Sequence, residues 1–229
     1  MLSWIQYHIL VELTRHSLRR YSQLRPRDVE GNLFMYHLKG LMADGLVEKA
    51  DGQYQLTLKG LQFVGTLSLK TGRTRKQPKI LNAIICRNKA GEYLITRWRR
   101  QPNAELVSFP HGMMHYGEPV MEMAAHELAE KAGLQAQLQY RGDVYVRGKL
   151  AGMLDRHMLV HLFEATKPEP ADGAGASEEI GESFWAALDT LRPEEFVPGF
   201  YEIAKLADEN PTGTIFADIE IEVGAPASD

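Results

Sequence analysis

Apolar positions follow one rhythm in the first third of the chain and another in the rest. Between residues 1 and 68 they recur at helical spacing. Trp4, Ile5, Ile9, Leu10 and Leu13 fit one helix, and Leu33, Tyr36, Leu38, Leu41 and Met42 fit a second, from about Gly31 to Ala43, stopped by Gly45. A polar piece, RRYSQLRPRDVEGN, separates the two. LVEKA and QYQLTL then alternate around Asp51-Gly52, a hairpin signal, and a last helix begins near Lys59-Gly60. LKTGRTRKQPK, residues 69–79, has no apolar period and reads as a basic linker. Beyond it the rhythm turns to strands: KILNAIICRN, EYLITRWRR, AELVSF, QAQLQYRGDVYVRG and RHMLVHLFEAT. A central helix follows Pro119 and ends at Gly133. KPEPADGAGASEE reads as a loop, SFWAALDTL as another packed element and PGFYEIAKLADEN as a closing helix. Mixed strands around one central helix, with a second helix late, predict an α+β class. The boundaries expected are a first domain over 1–68, a linker over 69–79, a second domain over 80–212 and a C-terminal tail over 213–229.

Charge sharpens this division. Residues 1–76 carry 12 Lys+Arg against 6 Asp+Glu, whereas residues 77–229 carry 14 against 24, so a net charge of −4 conceals a basic part joined to an acidic one. Different partners are expected for the two. No apolar run approaches the ~20 residues that cross a bilayer. The N-terminus lacks the order of a signal peptide, because Glu12 and His8 interrupt its apolar stretch and basic residues follow it. A cytoplasmic protein with no membrane partner is expected. Cys86, the single cysteine, excludes an internal disulfide, and its apolar neighbours read it as a buried small hydrophobe.

YHLKGLMADGLVEKADGQYQLTLKG resembles the recognition helix and wing of winged helix-turn-helix regulators, and the resemblance covers about residues 1–68. It implies that the helix near Gly31–Ala43 enters the major groove of duplex DNA. Asn32, Tyr36, His37 and Lys39 are the contacts expected there, with Lys49 and Gln53 near the wing. The alternative is a module for protein contacts alone; six excess positive charges favour DNA. By analogy with such regulators a homodimer is expected.

SFPHGMMHYGEPVMEMAAHELAEKAGL resembles the Nudix box. Gly112 and Glu118 stand at the expected spacing, and Glu127, Leu128, Glu130, Gly133 and Leu134 also match. The resemblance implies an α/β/α sandwich with a mixed sheet. It also implies box glutamates that hold Mg2+ or Mn2+ against a substrate diphosphate in a nucleoside diphosphate linked to another group. This chain departs from the pattern: His126 stands for the box arginine, Lys131 for the last glutamate, and His111 for a glycine. A period of 3.6 places Met121, Ala124, Ala125, Leu128 and Ala132 on a core stripe, with Glu127, Glu130 and Lys131 beside it facing a cleft. Lys131 removes a carboxylate and adds a positive charge where the ion would sit, and Glu127 with Lys131 has the favoured i,i+4 order for an ion pair. His111, His115 and His126 raise a zinc site, against which ordinary polar packing is the stronger reading.

Two functions compete at this stage. In one, the protein resembles Nudix-related transcriptional regulators, with the domain order reversed: a winged helix binds DNA, and a degenerate Nudix domain senses a phosphorylated nucleotide-type metabolite through Gly112, Glu118, Lys131 and Arg97, with no cofactor. In the other it is a metal-dependent Nudix hydrolase in which Glu127 and Glu130 are catalytic and hold Mg2+ or Mn2+. The altered box favours the regulator.

Overall fold

The computed structural model describes residues 2–68, 70–171 and 179–223. The chain divides into two compact units, Met1–Lys76 and Gln77–Asp229. In the first, helix α1 (Trp4–Arg15) starts at a capping box. The Ser3 side chain accepts from the Gln6 backbone, and the Gln6 side chain returns the bond. Ile5, Ile9, Leu10 and Leu13 form its buried stripe. The polar piece holds one short helix, α2 (Tyr21–Leu24). Helix α3 (Gly31–Ala43) buries Phe34, Leu38 and Leu41. Strands β1 (Val47–Ala50) and β2 (Gln53–Leu56) pair antiparallel. Their turn residues Asp51 and Gly52 both take positive φ, at 49° and 76°, the conformation that an Asp-Gly hairpin favours. Helix α4 (Leu58–Thr66) is capped by the Thr57 side chain. A Cβ on Gly60 would lie 2.0 Å from the Leu46 carbonyl oxygen, so only glycine allows the helix this close to the hairpin's base.

The second unit is built on two sheets and two helices. A five-stranded mixed sheet runs in the order β10-β7-β8-β3-β6, and a three-stranded antiparallel sheet in the order β5-β4-β9. Their strands are β3 (Lys79–Cys86), β4 (Tyr93–Trp98), β5 (Val107–Ser108), β6 (His111–Met113), β7 (Leu134–Leu150), β8 (Met153–Pro170), β9 (Gly181–Ala186) and β10 (Ile215–Glu222). β7 and β8 form one long hairpin around Ala151-Gly152, and β8 also pairs parallel with β3.

Strand alternation sends one set of side chains to each face of the larger sheet. Leu81, Ala83, Val144, Val146, Val160 and Leu162 pack with Phe200, Ile203 and Ala204 of helix α6 (Phe200–Glu209). Ile84, Cys86, Phe163 and Ala165 pack with Ala124 and Leu128 of helix α5 (Val120–Ala132). Helices thus cover both faces, as in a sandwich.

Three expectations need correction. Residues 215–222, expected in a tail, form β10, paired parallel with β7. The reason is visible in IFADIEIE, where Ile215, Ala217, Ile219 and Ile221 join the core at a period of two. The expected loop over residues 167–179 begins inside β8, which continues to Pro170, and residues 172–178 lie outside the described residues. On α5, Met121 and Ala125 are exposed while Met123, Ala124, Glu127, Leu128 and Lys131 are buried. The helix is covered on two adjacent stripes, so a charged stripe went inside with the apolar one. No helix among the described residues is long and apolar enough to cross a membrane.

Candidate functional site

Helix α5 ends in a left-handed Gly133, with φ 65°, and so delivers its last turn against β6 and β9. Gly112 of β6 makes this approach possible. A Cβ there would fall 1.8 Å from Glu127 Oε1, so the glycine leaves the space that the carboxylate fills. One turn on, Lys131 Nζ stands 2.7 Å from Glu127 Oε2 and 2.8 Å from Glu130 Oε2. The Glu130 contact is a true hydrogen bond, whereas the Glu127 contact is an ion pair whose oxygen takes no hydrogen bond. The lysine and Glu127 side chains are only 8% and 7% exposed, while that of Glu130 is 38% exposed at the rim. The bond from Lys131 holds the Glu130 carboxyl below its usual range, against a smaller opposing effect of burial.

Aromatic and hydroxyl groups close this cluster. The Lys131 ammonium lies 5.8 Å from the Trp98 ring centroid. Ser183 on β9 donates to the Lys131 carbonyl at 2.9 Å and contacts Thr96 Oγ1 at 2.9 Å. His111 is sandwiched between Trp98 and Phe200, at centroid distances of 4.6 and 4.4 Å. Its Nδ1 lies 2.9 Å from Ser108 Oγ, which also accepts from Trp98 Nε1 at 2.8 Å. Burial pushes the His111 imidazole down to about 4, helped by the Lys131 charge, so it is neutral at physiological pH. Asn82, fully buried and opposite Gly112 in the sheet, leaves its Oδ1 without a partner.

The expected site residues divide accordingly. Gly112, Glu127, Glu130 and Lys131 are brought together. Glu118 is not: it sits in the exposed loop before α5, where His115 Nδ1 lies 3.5 Å from its Oε2. Arg97 is not either. Thr96 and Trp98 face Lys131, so alternation along β4 turns Arg97 the other way, over Phe184 and onto the Glu105 carbonyl. His111, His115 and His126 do not converge, and no group of three or more His, Cys, Asp or Glu among the described residues is close enough for a metal. In the first unit Asn32, Tyr36 and Lys39 form an exposed stripe on α3, and Lys49 is exposed on β1. His37 is half-buried, with Nδ1 3.2 Å from Ser3 Oγ, because a seventh helical position turns back toward α1. Sequence reasoning missed Trp98, Ser108, Ser183 and Asn82. Their only sequence signal was a polar or aromatic residue at an inward strand position.

The NUDIX domain family model matches residues 78–206. The chain belongs to the Nudix family. An isopentenyl-diphosphate Delta-isomerase from Rhodobacter capsulatus is 31% identical over 97 residues, covering 37% of this chain and 52% of that protein. The chain thus spans about half the length of this curated relative. The mMutator MutT protein from Bacillus halodurans superposes with a TM-score of 0.51 at 17% identity, over 62% of this chain and 89% of that one. The NUDIX domain of Shewanella oneidensis NrtR, complexed with ADP ribose, gives a TM-score of 0.48 at 12% identity, over 66% and 98%. At such identities the solved structures establish the fold alone.

Nudix enzymes generally use divalent metals, and the residues present here do not fit one. Magnesium requires near-octahedral oxygen ligands at about 2.1 Å, yet of the three box carboxylates present Glu127 and Glu130 converge on an ammonium rather than leaving a gap between them, and Glu118 lies apart in the loop.

Proposed function

We propose that the chain is a DNA-binding regulator whose Nudix domain holds a phosphorylated nucleotide-type ligand without hydrolysing it efficiently. The observation that carries this reading is the Lys131 ammonium between Glu127 and Glu130, a built-in cation where metal-dependent members need an exchangeable one. Two carboxylates and one ammonium leave a net negative charge, so Lys131 alone does not attract phosphate. Arg100, exposed and bridged to Glu179, also lowers the Glu130 carboxyl by its charge and is the group proposed to meet the phosphates. The Rhodobacter relative is named for a diphosphate substrate, which supports a diphosphate as the shared chemistry.

Three features support the DNA half: the basic first unit, the α3 stripe of Asn32, Tyr36 and Lys39, and the hairpin that presents Lys49. In this reading residues 1–68 are a winged helix, α3 is its recognition helix, and a homodimer binds the duplex. A screen of nucleoside diphosphate derivatives with and without magnesium tests the sensor half. Thermal stabilisation without phosphate or nucleotide release is expected. Brisk magnesium-dependent release would replace the regulator with the hydrolase.

A further inference from the structure

A second polar constellation lies on the same face of the large sheet, two strands from Gly112. Register places Gly112, Asn82 and His161 side by side on β6, β3 and β8, and Asp143 opposite His161 on β7. Directly paired residues share a face, and Glu127 occupies the Cβ position of Gly112. The row Asp143–His161–Asn82 therefore lies on the same face as the α5 cluster. Adjacent strands are about 4.8 Å apart, so His161 stands roughly 10 Å from Gly112.

The row is constructed around an irregularity. A bulge between Tyr140 and Gly142 shifts the alternation of β7, so Tyr140, three residues before Asp143, shares its face. Gly142 takes φ 130°, and a Cβ there would lie 1.8 Å from the Ile215 carbonyl oxygen. Burial first, and Asp143 second, raise the Tyr140 hydroxyl's pKa, and His161 Nδ1 lies 2.6 Å from Asp143 Oδ1. A carboxylate only accepts, so Nδ1 carries the proton and Nε2 is the nitrogen left to meet another molecule. The His161 side chain is 24% exposed. Beside it, Asn82 is a fully buried amide whose Oδ1 has no partner. Packing on this face is supplied chiefly by Ile84, Phe163 and α5, with Tyr140 edge-on to Phe163.

We infer that Asp143-oriented His161, with Asn82 beside it, is a binding site for a sugar hydroxyl of a nucleoside diphosphate whose phosphates lie at the α5 cluster. The inference rests on the nucleotide reading above. A hydroxyl both donates and accepts, so it satisfies Nε2 in either protonation state. Roughly 10 Å between the two clusters suits a diphosphate at one and its sugar at the other. His161 is a specificity residue here, not a catalytic one.

Calorimetry on the full chain in EDTA tests this with inorganic pyrophosphate, with ADP, GDP, CDP and UDP, and with their 2′,3′-dideoxy forms. The tightest ribonucleotide is expected to bind about tenfold better than its dideoxy form. His161→Ala should abolish that difference and leave pyrophosphate within twofold of wild type, and His161→Gln, which keeps a polar end, should restore part of it. Unchanged circular dichroism and melting temperature establish that the variants fold. An undiminished ribose preference in His161→Ala, an equal loss of pyrophosphate, or a wild type that binds pyrophosphate but none of the nucleotides would overturn the inference while leaving the α5 reading standing. A wild type that binds ribonucleotides in a His161-dependent way but not pyrophosphate would overturn the inference together with the α5 phosphate site on which its spacing rests.

Discussion

Lys131 and Glu127 are legible as an ion pair from spacing alone, since glutamate precedes lysine by four residues on a helix. Their burial is not legible, and burial makes the pair consequential. A buried ammonium held by two carboxylates cannot be removed without stranding Glu127, a loss of about 3–5 kcal/mol. His111 gives a pH-dependent counterpart. Its folded-state value of about 4 lies below the usual imidazole range near 6.5. Between those values the unfolded chain binds a proton that the folded chain refuses, so stability falls as pH drops from 6.5 toward 4 and is unaffected above that window. The total from this group is at most roughly 3.5 kcal/mol, at about 1.4 kcal/mol per unit. Melting curves from pH 7.5 to 4.5 should therefore be flatter for His111→Gln than for wild type. Parallel curves would mean that the ring titrates normally.

Elements were legible where one face is buried and the period is clean, as in α1, α3, the Asp51-Gly52 hairpin and β3. The sequence misled where two stripes of a helix are covered, as on α5, and where a strand joins late. β10 carries a plain two-residue alternation, but its partner β7 lies some seventy positions earlier, and no local signal links them. What fixes β10 is Arg141. Its guanidinium is buried, paired with Glu164, and donates to the carbonyls of Asn210, Pro211 and Gly213 just ahead of the strand. Arg141→Ala leaves those carbonyls and Glu164 unsatisfied, so a loss of about 3 kcal/mol or more is expected. Chemical denaturation reads the size, and amide exchange should localise the loosening to β10. A change below 1 kcal/mol would show that the strand is held by its own ladder.

At the scale of the molecule, two compact units with opposite charge follow the division read from composition. Their separate tasks remain a proposal, and the proposal has a sharp signature. Phosphate contacts release counterions, so the affinity of the full chain for duplex DNA should fall log-linearly with salt. Lys39→Ala should weaken binding across all sequences and reduce the slope by about one. Tyr36→Ala should act more on specific than on random duplex. Gel-shift titration at several salt concentrations checks both, and no binding at micromolar protein in low salt would remove the DNA half of the reading. The other half turns on whether the α5 cluster excludes a divalent ion. Calorimetric titration of manganese into wild type and Lys131→Glu asks this directly. The account predicts no binding below the millimolar range for wild type. It predicts clear binding for Lys131→Glu, with a melting temperature lowered by three adjacent carboxylates and raised again by the metal. Micromolar manganese binding by the unaltered chain would contradict it.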